Sequence, residues 1–278
     1  MKQSDNQTEV RFKFGENWLR FLKGLRPEDV REAEESLQEK LGDIEGKTFM
    51  DIGCGSGLFS LAARNLGAKV VSFDYDEQSV ECARFLKSEH HPDSESWTIH
   101  KGSALDREFL TGLGKADIVY SWGVLHHTGD MWKAMKNAVS CVKGGGRLFI
   151  SIYNDQGGWS RVWKKLKYLY NTGPKWLQGP MTLGCILWFE GRSLLIQLLC
   201  LRNPIKYFLQ RKQGRGMGVW HDARDWMGGY PFEVAKPEEI FEFCHSQGHS
   251  LEFLKTNAGG IACNEYVFLH GGADTCVE

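Results

Sequence analysis

The 278-residue sequence contains no C-x-x-C pair, and its eight cysteines (54, 82, 141, 185, 200, 244, 263 and 276) fall at irregular intervals. Such spacing excludes a zinc ribbon or a disulfide framework and predicts reduced, packed thiols. Net charge is lacking too. The 34 basic and 35 acidic side chains leave −1, so bulk charge indicates neither a nucleic-acid partner nor an acidic tail. The opening stretch, M-K-Q-S-D-N-Q-T-E-V, has no apolar core of a secretion signal, and the expected location is the cytoplasm. Hydrophobic content of 42% and charged content of 25% are ordinary globular values, for one large domain or one domain with a sizeable insertion.

The chain is organised around Thr48–Gly57, T-F-M-D-I-G-C-G-S-G. An apolar run passes through Asp51 into Gly53, Gly55 and Gly57, and a helical pattern begins at Leu58. Strand, glycine turn and helix let backbone approach a nucleotide-like ligand closely, because glycine has no side chain to hold it off. The glycines fall as G-x-G-x-G. A dinucleotide fingerprint needs G-x-G-x-x-G, and Leu58 stands where its third glycine belongs.

D-I-G-C-G-S-G resembles motif I of the class I S-adenosylmethionine (SAM) methyltransferases. Lys69–Asp74 reads as a second strand ending in an acidic residue, 17 positions beyond Gly57. The resemblance gives Asp74 the ribose hydroxyls, with Tyr75 available to pack on the adenine. Asp51 would orient the glycine turn and help hold the methionyl ammonium, and Gly53, Gly55 and Gly57 would supply backbone. Trp97–His100 is a third strand. Where many relatives carry an Asp for the adenine amino group, this chain has Ser103, followed by Ala104, and Asp106 is expected to cap the next helix. The stretch D-I-V-Y-S-W-G-V-L-H-H (117–127) resembles the family's motif after strand four. It implies that backbone at Ser121, Trp122 and Gly123 lies along the cofactor and that His126 and His127 face the methyl group.

The β–α alternation from 48 to 153 predicts a Rossmann-like α/β fold: a seven-stranded, mostly parallel sheet with one antiparallel strand. Met131–Val142 is expected as a helix stopped by Gly144-Gly145-Gly146, before a fifth strand over Arg147–Tyr153. A helix from Pro237 and two strands around N-A-G-G-I-A-C would close the sheet. The expected organisation is an N-terminal helical cap (1–45), a SAM-binding core (46–153), a helical insertion acting as substrate lid (154–235) and a closing unit (236–278). Phe14 and Trp18 on the cap, with Asn17, are candidates for a lid over the site.

The insertion is the departure from a minimal fold. Over Ser151–Trp220, six Lys and five Arg stand against Asp155 and Glu190, a net +9 that leaves −10 for the remainder. The segment is aromatic, without repeats or low complexity. Met181–Leu201 is apolar, but Glu190 and Arg192 at its centre would each cost about 2.5–3.5 kcal/mol in a bilayer, so a spanning helix is rejected. Two readings stand: a roof over the substrate pocket, or a basic amphipathic surface resting on a membrane or lipid-like substrate within 155–220. Nucleic acid is disfavoured because no recognised module accompanies the basic residues. The piece G-M-G-V-W-H-D-A-R-D-W-M-G-G-Y reads as a pocket wall unlike a helix face, with Trp220, Asp222 and Tyr230 as candidates beside Tyr153 and Asn154. This stretch and Y-N-D-Q-G (153–157) are similar to bacterial methyltransferases labelled after the ubiquinone-pathway O-methyltransferase.

The resemblance implies methyl transfer from SAM to a small-molecule acceptor, oxygen favoured. Positioning supplies much of such a rate. His127 is the first candidate base, followed by His126, Asp155 and His221, because imidazole titrates near neutrality. No metal is expected: neither His126, His127 and Asp130 nor His221 and Asp222 show a recognised ligand spacing. A sulfur acceptor, which ionises readily, is the first alternative. A non-catalytic protein that keeps the fold to bind a membrane or macromolecule is the second.

Overall fold

The fold is built outward from β1 (Thr48–Ile52), whose alternate side chains feed two separate cores. Phe49 points to one face and Met50 and Ile52 to the other, all at most 1% exposed. That two-sided burial is why the strand reads as a continuous apolar run. The computed structural model describes residues 22, 24–200, 219–257 and 262–271.

After α1 (Pro27–Leu41) and β1 come α2 (Leu58–Asn65), β2 (Lys69–Asp74), α3 (Glu77–His90), β3 (Trp97–Lys101), α4 (Arg107–Leu113) and β4 (Ala116–Trp122). A 3-10 turn, Leu125–His127, leads to α5 (Met131–Ser140) and β5 (Val142–Tyr153). Then follow α6 (Gly158–Thr172), α7 (Lys175–Leu199), α8 (Val219–Gly228), α9 (Pro237–Ser246), β6 (His249–Lys255) and β7 (Cys263–His270).

Seven strands form one sheet in the order β3-β2-β1-β4-β5-β7-β6. β7 runs antiparallel to both β5 and β6, and the other pairings are parallel. The expected sheet is therefore observed, its closing hairpin included. One face packs Phe49, Val70, Ile118 and Phe149 against α1, α2 and α3 residues such as Leu37, Leu61 and Leu86. The opposite face packs Met50, Val119, Leu148 and Phe268 with Met135 of α5 and Ile240 of α9.

Local sequence explains the helix ends. Pro27 opens α1 with Glu28 and Asp29 in its first turn, and the Asp29 carboxylate accepts the Arg26 N–H at 2.8 Å. Asp106 accepts the Phe109 N–H at 3.0 Å and caps α4, as its position implied.

Two elements differ from expectation. β5 starts at Val142, and the glycine run lies inside it rather than before it. Val142 pairs with Ala116 and Arg147 with Ile118, so residues 143–146 face Asp117 alone in a bulge. Gly145 sits at φ 76°, and a Cβ on Gly146 would lie 2.8 Å from the Asp117 carbonyl oxygen. Gly145 and Gly146 are the positions where the bulge needs glycine. The second correction concerns W-H-D-A-R-D-W, which lies in α8. Ala223 and Met227, four apart, are its buried positions. The flanking glycines and dense polar residues hide that helical spacing in the sequence.

By contacts, the described residues of 158–232 form a helical unit, and those of 13–157 with 233–278 form a sheet unit. In the sheet unit, Asn154 bridges Ala235 and the Asp155 N–H donates to the Ala235 carbonyl at 3.1 Å, so the chain ends on either side of the helical unit meet. Within the helical unit, α8 packs on α6 and α7. Its interior includes Trp163, Tyr170, Cys185, Met227 and a fully buried Lys167.

Candidate cofactor and active site

The C-terminal ends of β1, β2 and β4 converge, the place where open α/β sheets bind ligands. Gly53, Gly55 and Gly57 have φ of 77°, 54° and 83°. A Cβ on Gly57 would lie 2.9 Å from Ala83 of α3, so the third glycine allows the close approach of two helices. A Cβ on Gly53 would collide with Val124. The loop is pinned from behind by the N–H groups of Gly53 and Cys54, which donate to the Phe73 carbonyl at 2.9 and 3.0 Å.

Asp74 closes the loop from the neighbouring strand. Its Oδ2 accepts the Gly55 N–H at 3.0 Å and its Oδ1 accepts the Asp76 N–H at 2.8 Å. Burial pushes its carboxyl up to about 6, against the pull of these backbone bonds. Each oxygen retains acceptor capacity, since a carboxylate offers about four lone-pair sites. The group therefore fits a ribose with two hydroxyls to donate.

Asp51 sits behind the loop, 2% exposed, at the end of a buried polar chain. The Trp97 Nε1–H donates to Ser72 Oγ at 2.9 Å, Ser72 and Ser60 share a bond of 2.7 Å, and the Ser60 hydroxyl donates to Asp51 Oδ2 at 2.5 Å. Burial raises the Asp51 carboxyl to about 7; the Ser60 bond opposes this and the charge of Asp74 adds to it. A buried acid held so far above its ordinary range is stabilised by an approaching cation.

The third side comes from the loops after β3 and β4. The Gly102 N–H donates to the Asp74 carbonyl at 3.0 Å, joining the Ser103–Ala104 loop to β2. Ser103 Oγ accepts the Leu105 N–H at 3.1 Å, and Asn137 Nδ2 holds the Ala104 carbonyl at 2.8 Å, so this loop is built in place. The Ser121 hydroxyl donates to the Ile52 carbonyl at 2.9 Å, tying β4 to the start of the glycine turn. Trp122 is half exposed, and its indole donates to Glu265 Oε1 at 3.3 Å. Tyr75 is also half exposed beside Asp74.

His126 and His127 occupy the 3-10 turn after β4. Their rings lie 4.5 Å apart, and Tyr153 at the end of β5 is 4.1 Å from His126 and 5.5 Å from His127. His126 is wholly buried, whereas His127 is partly exposed. Asn154 follows Tyr153, and its Oδ1 accepts from Asn264 Nδ2 at 3.1 Å. Asp155 spends Oδ1 on the Gly157 N–H at 2.9 Å. Four further candidates belong to the helical unit. Trp220, His221 and Asp222 are on α8, and Tyr230 meets Tyr168 at 5.5 Å inside the helical unit. Phe14, Asn17 and Trp18 lie outside the described residues.

Sequence reasoning missed two glutamates. The Glu233 N–H donates to the His126 carbonyl at 3.0 Å, while its carboxylate accepts from Gly129 at 3.1 Å and from Met131. Glu233 thus clamps the histidine turn to the start of α5. Glu265 of β7 holds Trp122 by one oxygen; its other oxygen and the Tyr120 hydroxyl are buried without a hydrogen-bond partner among the described residues. Burial, with the charges of Asp51 and Glu265, holds the Tyr120 hydroxyl well above its ordinary value. Glu265 sits 143 positions from Trp122, which it holds, so no local motif could have revealed it.

A methyltransferase-domain family model matches residues 25–194, more than half of the chain. A ubiquinone biosynthesis O-methyltransferase of Bordetella avium is 30% identical over 120 residues, covering 43% of this chain and 48% of that protein. The Coxiella burnetii protein of the same name is 32% identical over 112 residues, covering 40% and 45%. The match thus spans about half the length of these curated relatives. Among solved structures, magnesium protoporphyrin IX methyltransferase from Synechocystis PCC 6803, crystallised with bound SAH, aligns with a TM-score of 0.53 at 16% identity, covering 92% of this chain and 94% of that one.

Proposed function

The chain belongs to the methyltransferase-domain family, and on that premise we propose that it transfers a methyl group from SAM to a small-molecule acceptor, oxygen favoured. One observation carries the reading: a glycine turn held open at left-handed φ, with the Asp74 carboxylate bonded across it to Gly55. SAM supplies an activated methyl group when bound, and this chain's residues do the rest. Asp74 would accept the ribose hydroxyls and Tyr75 would pack on the adenine, with Ser103 and Ala104 beside it. Asp51 stabilises the methionyl ammonium behind the loop, as an ionised carboxylate. Ser121 holds β4 against β1, so the backbone at Trp122 and Gly123 keeps its register beside the cofactor.

His127 takes the acceptor's proton. It is the partly exposed member of the histidine pair, and Glu233 holds its turn in place. His126 is a positioning residue, packed between His127 and Tyr153. The preference for oxygen is supported by the similarity to ubiquinone biosynthesis O-methyltransferases and by the need of a phenol or alcohol, unlike a thiol, for a base. We assign segment 155–220 to the acceptor side, as a lid or as a contact with lipid-like matter.

Isothermal titration with SAM and with SAH tests the cofactor reading. Both bind wild type, and Asp74→Ala weakens both by about 100-fold, the worth of losing its charge-assisted bonds. Absence of binding by either ligand would sink the proposal. A screen of phenols, thiols and amines with methyl-labelled SAM identifies the acceptor. Turnover that survives both His127→Ala and Asp155→Ala removes the base and favours sulfur.

A further inference from the structure

α7 carries an apolar stripe that the protein leaves in solvent. Trp176, Pro180, Leu183, Leu187, Leu194 and Leu198 recur at intervals of three, four or seven along it, and all are exposed. Trp176 is 74% exposed and Leu187 65%. The stripe runs about 33 Å at 1.5 Å per residue, with the half-buried Glu190 beside its middle, between Leu187 and Leu194. The other side of the helix is held by protein: Thr182 and Cys185 are buried, and Thr182 Oγ1 meets the Tyr170 hydroxyl at 3.3 Å. An exposed apolar stripe of this length on a packed helix marks an interaction surface.

Charge selects the partner. Arg161, Lys164 and Lys165 are exposed on neighbouring α6. Exposed cations on an element next to an amphipathic helix are an arrangement that meets anionic lipid headgroups. A protein partner for an apolar stripe does not call for that surplus of positive charge.

We propose that α7 lies in the plane of an anionic bilayer, with Trp176, Leu183, Leu187, Leu194 and Leu198 in the acyl boundary. The helix is long and apolar enough to cross a membrane by length and composition. Its packed face and the pair Glu190 and Arg192 at mid-length assign it to the surface instead. The inference rests on assigning segment 155–220 to a lipid-like contact, and it is independent of methyl transfer.

The test is co-sedimentation of the full chain with vesicles of phosphatidylcholine alone and of equal parts phosphatidylcholine and phosphatidylglycerol. Wild type partitions at least about tenfold more strongly to the anionic vesicles, and high salt reduces the difference. The double variant Leu183→Glu, Leu187→Glu loses about 100-fold in partitioning while its SAH titration is unchanged. If that variant fails to fold, wild type is read instead with brominated lipids, which quench tryptophan emission only when indoles such as Trp176 and Trp188 enter the acyl layer. Equal partitioning to both vesicle types, or by variant and wild type, overturns the proposal, as does absence of quenching. So does a lipid-free dimer in light scattering that the double variant dissolves, since that assigns the stripe to a second copy. Intact SAH binding beside failed partitioning separates this outcome from failure of the methyltransferase reading.

Discussion

The sheet unit buries an acid and the helical unit buries a base. In the first, Asp51 is sealed behind the glycine turn and held by Ser60, the end of a hydrogen-bonded chain from Trp97. In the second, the Lys167 ammonium donates to the Trp226 carbonyl and lies 3.9 Å over the Trp226 ring and 4.9 Å from that of Phe232. Their surfaces differ as well. The sheet unit keeps its large apolar side chains mostly inside, whereas α6 and α7 expose Trp159, Trp176, Leu187, Trp188, Leu195 and Leu199. An acid buried behind the glycine turn is, on the proposed function, a binding device. A lysine buried among aromatic rings, away from any carboxylate partner in the described residues, is a cost of packing.

That contrast is sharpest in pH dependence, and Asp51 carries the largest expected effect. In the unfolded chain its carboxyl ionises near 4. In the fold it ionises near 7, because burial disfavours the charge. Between these values the folded protein holds a proton that the unfolded chain has lost, so stability falls as pH rises from about 4 to about 7. The full drop is on the order of 4 kcal/mol. Urea midpoints measured across that range should show it, Asp51→Asn should flatten it, and saturating SAH should shrink it by supplying an ammonium. A slope that SAH leaves untouched breaks the reading of Asp51 as a binding device.

Lys167 should give the opposite slope. Burial lowers its ammonium to about 7, while the unfolded side chain titrates near 10.5. Above pH 7 the folded protein has released a proton that the unfolded chain retains, so stability gains as pH rises. Between pH 7 and 9 the gain is about 3 kcal/mol. Lys167→Met, of similar length and without a charge to bury, should remove that rise in the same urea experiment. Persistence of the rise in the variant would transfer the effect to another group and erase the contrast.

The smallest effect belongs to Gly57. Alanine there must adopt φ 83° and bring Cβ to 2.9 Å from Ala83. The expected loss is on the order of 2 kcal/mol in thermal or chemical denaturation, from backbone strain and overpacking together. SAH affinity should fall as well, because α2 is displaced from the loop. Unchanged stability would mean that the turn yields more readily than its packing indicates.

Much of the sheet unit was legible in the sequence, because its signals are local. The apolar run into Gly53, the acidic end of β2 and the helix caps at Pro27 and Asp106 each lie within a few residues of the structure they specify. The glycine run at 144–146 misled because glycine both stops helices and makes bulges, and only the pairing with Asp117 distinguishes the two. W-H-D-A-R-D-W misled because it contributes Ala223 alone to the buried side chains described in α8, with Met227 just beyond it, too short a pattern to rise above its polar neighbours. Glu233 and Glu265 could not have been singled out, since each acts on residues over a hundred positions away.

The sequence by itself determined the cofactor half of this protein: a glycine turn and the acidic end of the following strand, both set by backbone preferences a few residues long. Tertiary structure alone decided which polar groups lie buried and which apolar ones stay outside. Asp51 and Lys167 are ordinary charges in the sequence and become perturbed ones only when packing removes their water. The leucines of α7 are only an apolar run in the sequence, and it is the fold that leaves them uncovered. Burial is a property of the packed chain as a whole, and no local stretch of residues encodes it.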